Sequence, residues 1–273
     1  MTTVEIPVPV ARTVPQVRLW ANEVGKGLRL ARRRWAMAVV GVLMNAALYL
    51  GINFFIGGGR IVEELMLVTL PALMAVAIAA TLAMEGAGGI AEEINGGTLE
   101  QTQLSPITAI TGVLGRITAL ALQGLAAAAV LGVGFAAAFG LQYTPHPSVI
   151  VPALLTLIDA MGYGLVIIAM TVRVASIGAI THVFNMVVMF FGGMIVPISV
   201  FPDGLEAAVR LIPTAAGVQA LNTTLAGEPL SATWADGTLP FLLVHAAVFV
   251  TIGLAAYARN IRKARSEAGV GPR

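Results

Sequence analysis

The sequence contains no cysteine and few charged residues. Of its 273 residues only 11% are charged, whereas a soluble domain typically carries about 25%. The absence of cysteine excludes disulfide bonds, thiolate metal sites and a cysteine nucleophile. Hydrophobic residues make up 58% of the chain, and the mean hydropathy is +0.88. One water-facing core cannot bury that much apolar surface, so the composition predicts an integral membrane protein.

Motifs for ATP hydrolysis and for bond cleavage are also missing. No Walker A pattern occurs, because Gly25 and Lys26 lack the glycine required upstream. The chain therefore cannot hydrolyse ATP in the P-loop manner by itself. The zinc-protease pattern HExxH and the esterase pattern GxSxG are absent, and His146, His182 and His245 stand apart in the sequence. We predict no catalytic residue, no bound cofactor and no metal site in this chain.

Long apolar segments dominate what is present. Each is close to the roughly 20 residues that a helix needs to cross a bilayer. We predict an all-α integral membrane protein whose domain, residues 35–258, has six transmembrane helices. They are placed at about 35–56, 65–84, 113–140, 150–171, 175–197 and 238–258.

The two ends of the chain have a different character. Residues 1–15 are rich in Pro, Val and Thr without a period, which predicts a disordered cytoplasmic tail. In residues 16–34, apolar side chains recur every three or four positions among basic ones, which predicts an amphipathic helix at the membrane interface. A plain basic flank that fixes topology is the alternative. Residues 259–273 form a basic cytoplasmic tail.

The distribution of basic residues predicts the orientation. With a cytoplasmic N-terminus, 14 of the 16 Lys and Arg residues fall on the inner side, and only Arg60 and Arg210 lie outside. By the positive-inside rule, both termini are cytoplasmic. Arginine far outnumbers lysine, which favours a bacterial source. We therefore predict a multi-pass protein of the bacterial plasma (inner) membrane.

The outer segment 198–237 is too apolar for an ordinary loop. Pro202 suits the first turn of a helix, and Pro213 would end that helix. A second short helix would then run to about Gly227. We predict two short helices around a proline hinge that re-enter the outer leaflet, which requires packing against protein. A helical hairpin lying on the surface is the alternative.

Polar residues inside the predicted spans are few, so each is a candidate for a substrate path. Asp159 is the most unusual of these residues, because burying an ionisable group within the membrane costs free energy. Such a group usually faces the interior of a helix bundle. Asp159 is therefore predicted to be either a substrate-path or proton-relay residue, or a residue that makes a structural hydrogen bond. In the second case, Tyr163, one helical turn later, is the predicted partner. The full set of candidates is Asn45, Asn53, Gln123, Asp159, His182 and Asn185.

The cytoplasmic segment between spans 2 and 3 is the most polar part of the chain. It reads "EEINGGTLEQTQLSPI" from residue 92. Thr98 can cap a short helix, and Pro106 restricts Ser105 and turns the chain back to the membrane. A short rigid helix can transmit the movement of a bound protein to the membrane domain. The carboxylates of this segment suit a basic surface on that partner. We therefore predict a coupling helix between the membrane domain and a cytoplasmic partner.

This segment resembles the "E…GTLEQL…SP" signature of ABC-2 type (type-2 exporter family) ABC transporter permeases. The six spans, the interfacial N-terminal helix and the Pro-broken outer helices are similar to that family's plan. Thr102 and Gln103 depart from it, since the family usually has aliphatic residues there. By this resemblance, coupling to the ATPase is carried by Glu92, Glu93, Gly96, Gly97, Thr98, Leu99, Glu100, Ser105 and Pro106.

The resemblance implies an exporter permease without its own ATPase site. Two ATP-binding cassette subunits would bind ATP and magnesium and dock below, and a second permease chain, identical or related, would pair with this one in the lipid. No nucleic-acid partner is expected. Aliphatic spans with methionines favour a lipophilic drug, a lipid or a glycolipid-like cargo. A proton- or ion-coupled carrier that uses Asp159 and a membrane scaffold without transport remain the alternatives.

Overall fold

Helices account for the regular structure of the chain. The computed structural model describes residues 15–98, 107–174 and 178–267, and this part contains no strand. The all-α prediction is therefore confirmed for these residues. The helices are α1 Gln16–Arg33, α2 Trp35–Ile56, α3 Glu63–Ala80, α4 Gly86–Asn95, α5 Ala109–Phe139, α6 Ile150–Arg173, α7 Gly178–Phe191, α8 Asp203–Val209, α9 Ala215–Leu225, α10 Leu230–Ala235 and α11 Thr238–Glu267.

Five helices are long and apolar enough to cross a membrane. They correspond to the predicted spans one, two, three, four and six. Helix α11 continues to Glu267, so the predicted C-terminal tail begins as helix. Most of the predicted N-terminal tail lies outside the described residues. The five helices are Trp35–Ile56, Glu63–Asn95, Ala109–Phe139, Pro147–Arg173 and Thr238–Ala264.

The predicted fifth span, 175–197, is represented by the 14-residue helix α7. At 1.5 Å per residue this helix is about 21 Å long, shorter than the roughly 30 Å hydrocarbon core. The chain then turns and continues as the short segment Ile198–Val200. The number of membrane spans therefore stays a prediction.

Helices α6 and α11 run in the same direction and pack closely along their length. A Cβ on Gly162 would stand 2.8 Å from Phe249 Cβ, and one on Gly253 would stand 2.6 Å from Leu165 Cβ. Because the two helices are parallel, the chain from Arg173 to Thr238 must return from one end of the bundle to the other. This geometry supports a crossing by the segment that contains α7.

The second span continues well beyond residue 84, where we expected it to end. A π-helical turn, Thr81–Glu85, joins α3 to α4 and makes one helix of 33 residues, Glu63–Asn95. The predicted end of this helix at about residue 84 is therefore too early. Gly86 packs against Ile168, to which a Cβ would come within 2.9 Å, so the glycines permit a close approach to α6. At roughly 50 Å, this helix exceeds the bilayer core and carries its last turn beyond it.

Helix α1 lies alongside the first third of α5. A Cβ on Gly115 would stand 2.6 Å from Glu23 Cβ, and one on Gly27 would stand 2.6 Å from Ala119 Cβ. The Thr111 hydroxyl donates to Gln16 Oε1 at 2.9 Å. No α1 residue is fully buried. Its position relative to the membrane interface stays a prediction.

Two short helices occur where the prolines predict them. Pro202 precedes α8, and Pro213 lies between α8 and α9. Helix α9 is largely buried against α3, α6 and α11. Packing against protein is what re-entry into the membrane requires, but re-entry itself stays a prediction.

Candidate functional site

The end of helix α4 is built by the glycine pair of the predicted coupling segment. Gly97 has a φ of 63°, a left-handed conformation that favours glycine. Its N–H donates to the Ile94 carbonyl at 3.1 Å, and the Thr98 N–H donates to the Glu93 carbonyl at 3.0 Å. These bonds form a Schellman motif, which satisfies the last carbonyls of the helix. Gly96 and Gly97 therefore stop α4 and fix where the coupling segment leaves it.

Glu92 lies on the last turn of α4 and binds the residue between α1 and α2. Arg34 Nη2 donates to Glu92 Oε2 at 3.0 Å and to Oε1 at 3.3 Å. The hydrogen bond that Arg34 donates to Glu92, followed by the charges of Glu92 and Glu85, raises the pKa of Arg34 above its usual value. Both side chains are accessible, at 45% for Arg34 and 61% for Glu92.

Glu93, the next residue, binds a different arginine in a more enclosed place. Arg116 Nη2 on α5 contacts Glu93 Oε1, and the two side chains are only 24% and 20% exposed. Arg116 Nη1 is buried without a hydrogen-bond partner. Gly89, one turn earlier on α4, is close to that atom, since a Cβ there would stand 3.8 Å from it. We call Arg34, Glu92, Glu93 and Arg116 the arginine–glutamate junction.

The junction connects three elements at the predicted cytoplasmic side. Helix α4 carries both carboxylates, α5 supplies one arginine, and the linker from α1 to α2 supplies the other. Both carboxylates bind arginines of this chain, and their predicted contact with a basic partner surface stays a prediction. A force on the end of α4 would therefore reach both α2 and α5.

Several predicted coupling residues have no structural description. Leu99, Glu100, Ser105 and Pro106 lie outside the described residues, as do Thr102 and Gln103. Thr98 is the last described residue on that side, and its hydroxyl lies 3.4 Å from the Glu93 carbonyl oxygen. The coupling helix itself therefore stays a prediction.

The predicted substrate-path residues do not form one site. The amides of Asn45, Asn53 and Gln123 each donate to a carbonyl four residues earlier on their own helix. His182 is exposed on α7, and Asn185 Oδ1 is buried without a hydrogen-bond partner. Among the described residues, no hydrogen bond joins any two of the six candidates.

Asp159 has a partner that the sequence did not reveal. It is 1% exposed, and its Oδ1 lies 2.7 Å from Nδ1 of His245 on α11. Its Oδ2 accepts the backbone N–H of Thr214 at 2.8 Å. The expected bond to Tyr163 is wrong, because the Tyr163 hydroxyl is buried without a partner. The parallel packing of α6 on α11, which places 159 beside 245, could not be deduced from either span alone.

No group of three or more His, Asp or Glu residues able to hold a metal ion occurs in the described ranges. The arrangement is that of a helix bundle with the arginine–glutamate junction at one end and a buried polar pair. No curated protein matches the chain. The family model described as ABC-2 family transporter protein matches residues 47–255, which is most of the chain and runs from within α2 to within α11. The protein thus belongs to the ABC-2 transporter family and is a permease component of an ABC transporter.

Proposed function

We propose that this permease works as an exporter driven by separate ATP-binding cassette subunits. Two such subunits would dock on the cytoplasmic side and hydrolyse ATP there, with both termini of this chain on the same side of the bacterial plasma membrane. Two permease chains, identical or related, would enclose the cargo path. The family match supports the permease role, and the arginine–glutamate junction supports the route by which ATP hydrolysis acts.

The observation that carries the coupling mechanism is the position of the junction. The segment 98–106 leaves α4 directly after Glu92 and Glu93, whose ion pairs bind α4 to α5 and to the start of α2. Movement of a docked cassette would pull on this segment and shift those helices together. Cargo and ATP sites are then distinct and linked through one two-state element, which is the requirement for allosteric coupling.

The cargo class follows from the lining that the spans offer. The bundle is aliphatic, and three of its six polar candidates, Asn45, Asn53 and Gln123, bond their own backbone. A polar chain such as a long polysaccharide would find few partners there. A lipophilic drug, a lipid or a glycolipid-like molecule fits such surfaces better, and exposed methionines such as Met44 and Met186 adapt to varied apolar shapes.

The proposal is tested by co-expressing the chain with the cassette ATPases of its source genome, co-purifying any complex and measuring ATP hydrolysis in lipid nanodiscs. Glu93→Gln and Arg116→Met should retain the complex but lower cargo-stimulated hydrolysis several-fold, because each breaks the partly buried ion pair between α4 and α5. Glu64→Gln is the matched control. It changes an exposed carboxylate at the far end of the same helix and should behave as wild type.

A lack of any associated ATPase would refute the exporter mechanism. Wild-type coupling in Glu93→Gln and Arg116→Met would instead refute the role of the junction. A proton gradient that drives transport without ATP would favour a carrier. Both carboxylate oxygens of Asp159 are already bound to His245 and Thr214, so a carrier would first have to break those bonds.

A further inference from the structure

A buried polar cluster binds the outer short helices to the membrane bundle. Asp159 bridges His245 and the Thr214 backbone N–H, and His245 Nε2 lies 3.1 Å from the Leu211 carbonyl oxygen. A carbonyl only accepts, so Nε2 must carry a hydrogen. One further proton is then shared between Nδ1 and the carboxyl group. The pair is neutral overall and fully hydrogen-bonded, which makes its burial tolerable.

The aromatic neighbours enclose the histidine on its own helix. The ring of His245 lies between Phe241 and Phe249, with centroid distances of 5.5 Å and 4.6 Å. His245 is buried, with 8% of its surface exposed. The pair is therefore shielded from water, and few groups could replace a lost partner.

The turn that the pair holds is strained. Thr214 has a φ of 73° and is the only described residue other than glycine with a positive φ. It is fully buried, and its hydroxyl has no hydrogen-bond partner. Such a conformation costs on the order of 1–3 kcal/mol and persists only where its surroundings impose it. The bond from the Thr214 N–H to Asp159 is the directional contact that imposes it here.

Helix α9 begins directly after this turn and is packed into the bundle. A Cβ on Gly217 would stand 2.2 Å from Thr156 Oγ1, so α9 lies directly against α6. Near its other end, the Asn222 amide donates to the Val68 carbonyl of α3 at 3.0 Å. The turn and the Asn222 contact hold opposite ends of α9, and of these two only the turn combines strain with a buried hydrogen-bonded pair.

We propose that Asp159 and His245 are a latch that holds the Leu211–Thr214 turn closed, and that its opening releases α8 and α9 as the outer gate of the transport path. The gate role rests on the proposed exporter function, whereas the latch is a property of this chain alone. Breaking the two bonds frees a strained turn, so the segment has two discrete states. Asp159 and His245 act as positioning residues that set which state is populated.

The absence of native cysteine makes single thiols clean reporters of the latch. Val209→Cys places a thiol at the end of α8, at a site that is 2% exposed in the closed form. Reaction with a membrane-impermeant maleimide is measured on the purified chain in nanodiscs. Asp159→Ala and His245→Ala should each speed this reaction about ten-fold or more, because each leaves a buried polar group without a partner.

Asp159→Asn is the conservative variant that separates a latch from mere packing. Its amide oxygen can accept from Thr214, and its NH₂ group can donate to neutral His245. It should therefore restore protection at position 209 to within about three-fold of wild type, since all bonds of the cluster can be remade. Val76→Cys, also 2% exposed but in the centre of α3, is the control for global unfolding and should stay protected in all variants.

The latch is overturned if the thiol at position 209 stays protected in Asp159→Ala. Equal exposure at positions 209 and 76, or an Asp159→Asn variant as open as Asp159→Ala, would overturn it as well. In complex with an active cassette ATPase, ATP should speed labelling at position 209 alone, and an unchanged rate would refute the gate role. Failure to bind any ATPase would refute the proposed function and leave the latch result standing.

Discussion

The neighbouring residues Glu92 and Glu93 have different environments because they lie on different sides of α4. Glu92 and Arg34 are about half exposed, so water and salt weaken their ion pair. Glu93 and Arg116 are about four-fifths covered. Removing one of these two would leave the other partly buried and without its counter-charge. The two pairs should therefore contribute unequally to stability.

We expect Glu92→Gln to lower the free energy of unfolding by about 1 kcal/mol or less, and Glu93→Gln to lower it by roughly 1–3 kcal/mol. Thermal unfolding in detergent, followed by intrinsic fluorescence, measures both. A double-mutant cycle with Arg116→Met isolates the pairwise part of the second value. Equal effects of the two substitutions, or a cycle energy near zero, would contradict the inequality.

Asp159 and His245 show what single residues in a sequence do not reveal. The two are 86 positions apart, and each stands alone within its own apolar span. The cost of an ionisable group at depth correctly marked Asp159 as a residue that needs a partner. Choosing that partner requires knowing that α6 and α11 are adjacent and parallel. Tyr163, one helical turn away, was the partner that we predicted from local geometry, and it was the wrong one.

At the scale of elements, the glycines of α4 have opposite functions. Gly88 is helical with open space around a possible Cβ, whereas Gly97 holds a positive φ that ends the helix. Alanine at 88 should stabilise the helix by up to about 1 kcal/mol, through a better helix propensity. Alanine at 97 should cost about 1–2 kcal/mol, because an L-residue resists that conformation.

We therefore expect Gly88→Ala to raise the unfolding temperature and Gly97→Ala to lower it, and hydrogen exchange of residues 90–95 should change in the same directions. Gly97→Ala should also weaken assembly with the cassette ATPase, because the coupling segment would leave α4 at another angle. Gly96→Ala is the control, since Gly96 has ordinary right-handed dihedrals. The same loss of assembly in that variant would argue against a specific role of the Gly97 turn.

The extent of α4 was misjudged from sequence for a physical reason. Glycine has a poor helix propensity, and the predicted second span ends at about residue 84, before "GAGG" at 86–89. In the structure, close packing of Gly86 on Ile168 and the π turn before it keep the segment helical. Tertiary contacts override propensity there. The positions of the short helices α8 and α9 were predicted more accurately, because the limits that proline places on a helix are local. Pro202 directly precedes α8, and Pro213 lies in the turn between α8 and α9.

At the scale of the whole molecule, hydrophobic length alone predicted five of the long helices to within a few residues at most ends, because the bilayer imposes that length. The contacts between them were not predictable, since apolar spans carry little information about their neighbours. Small residues mediate those contacts here, as Gly162, Gly217 and Gly253 show. For the same reason, the sequence does not reveal which apolar surface would contact a second permease chain.

Helix α2 is the span with the least support from its own chain. Of its 22 residues only Tyr49 and Asn53 are buried, and Leu43 and Phe55 are 62% and 86% exposed. Lipid could cover this surface, but two permease chains that enclose a path need a shared apolar face. We expect the proposed pairing to use α2. The chain should then run as a dimer in mild detergent, and Leu43→Cys should cross-link between chains with a short bis-maleimide.

Val244→Cys on α11 is the matched comparison, because that side chain is as exposed as Leu43, at 65%. It should remain uncross-linked, since α11 is already packed along its length on α6. Native mass spectrometry gives the number of chains independently of the chemistry. A monomeric mass would refute the proposed pairing of two permease chains. Cross-linking at position 244 but not at position 43 would place the interface on α11 instead of α2. Dependence of the cross-link on ATP in the full complex would further place α2 among the helices that move.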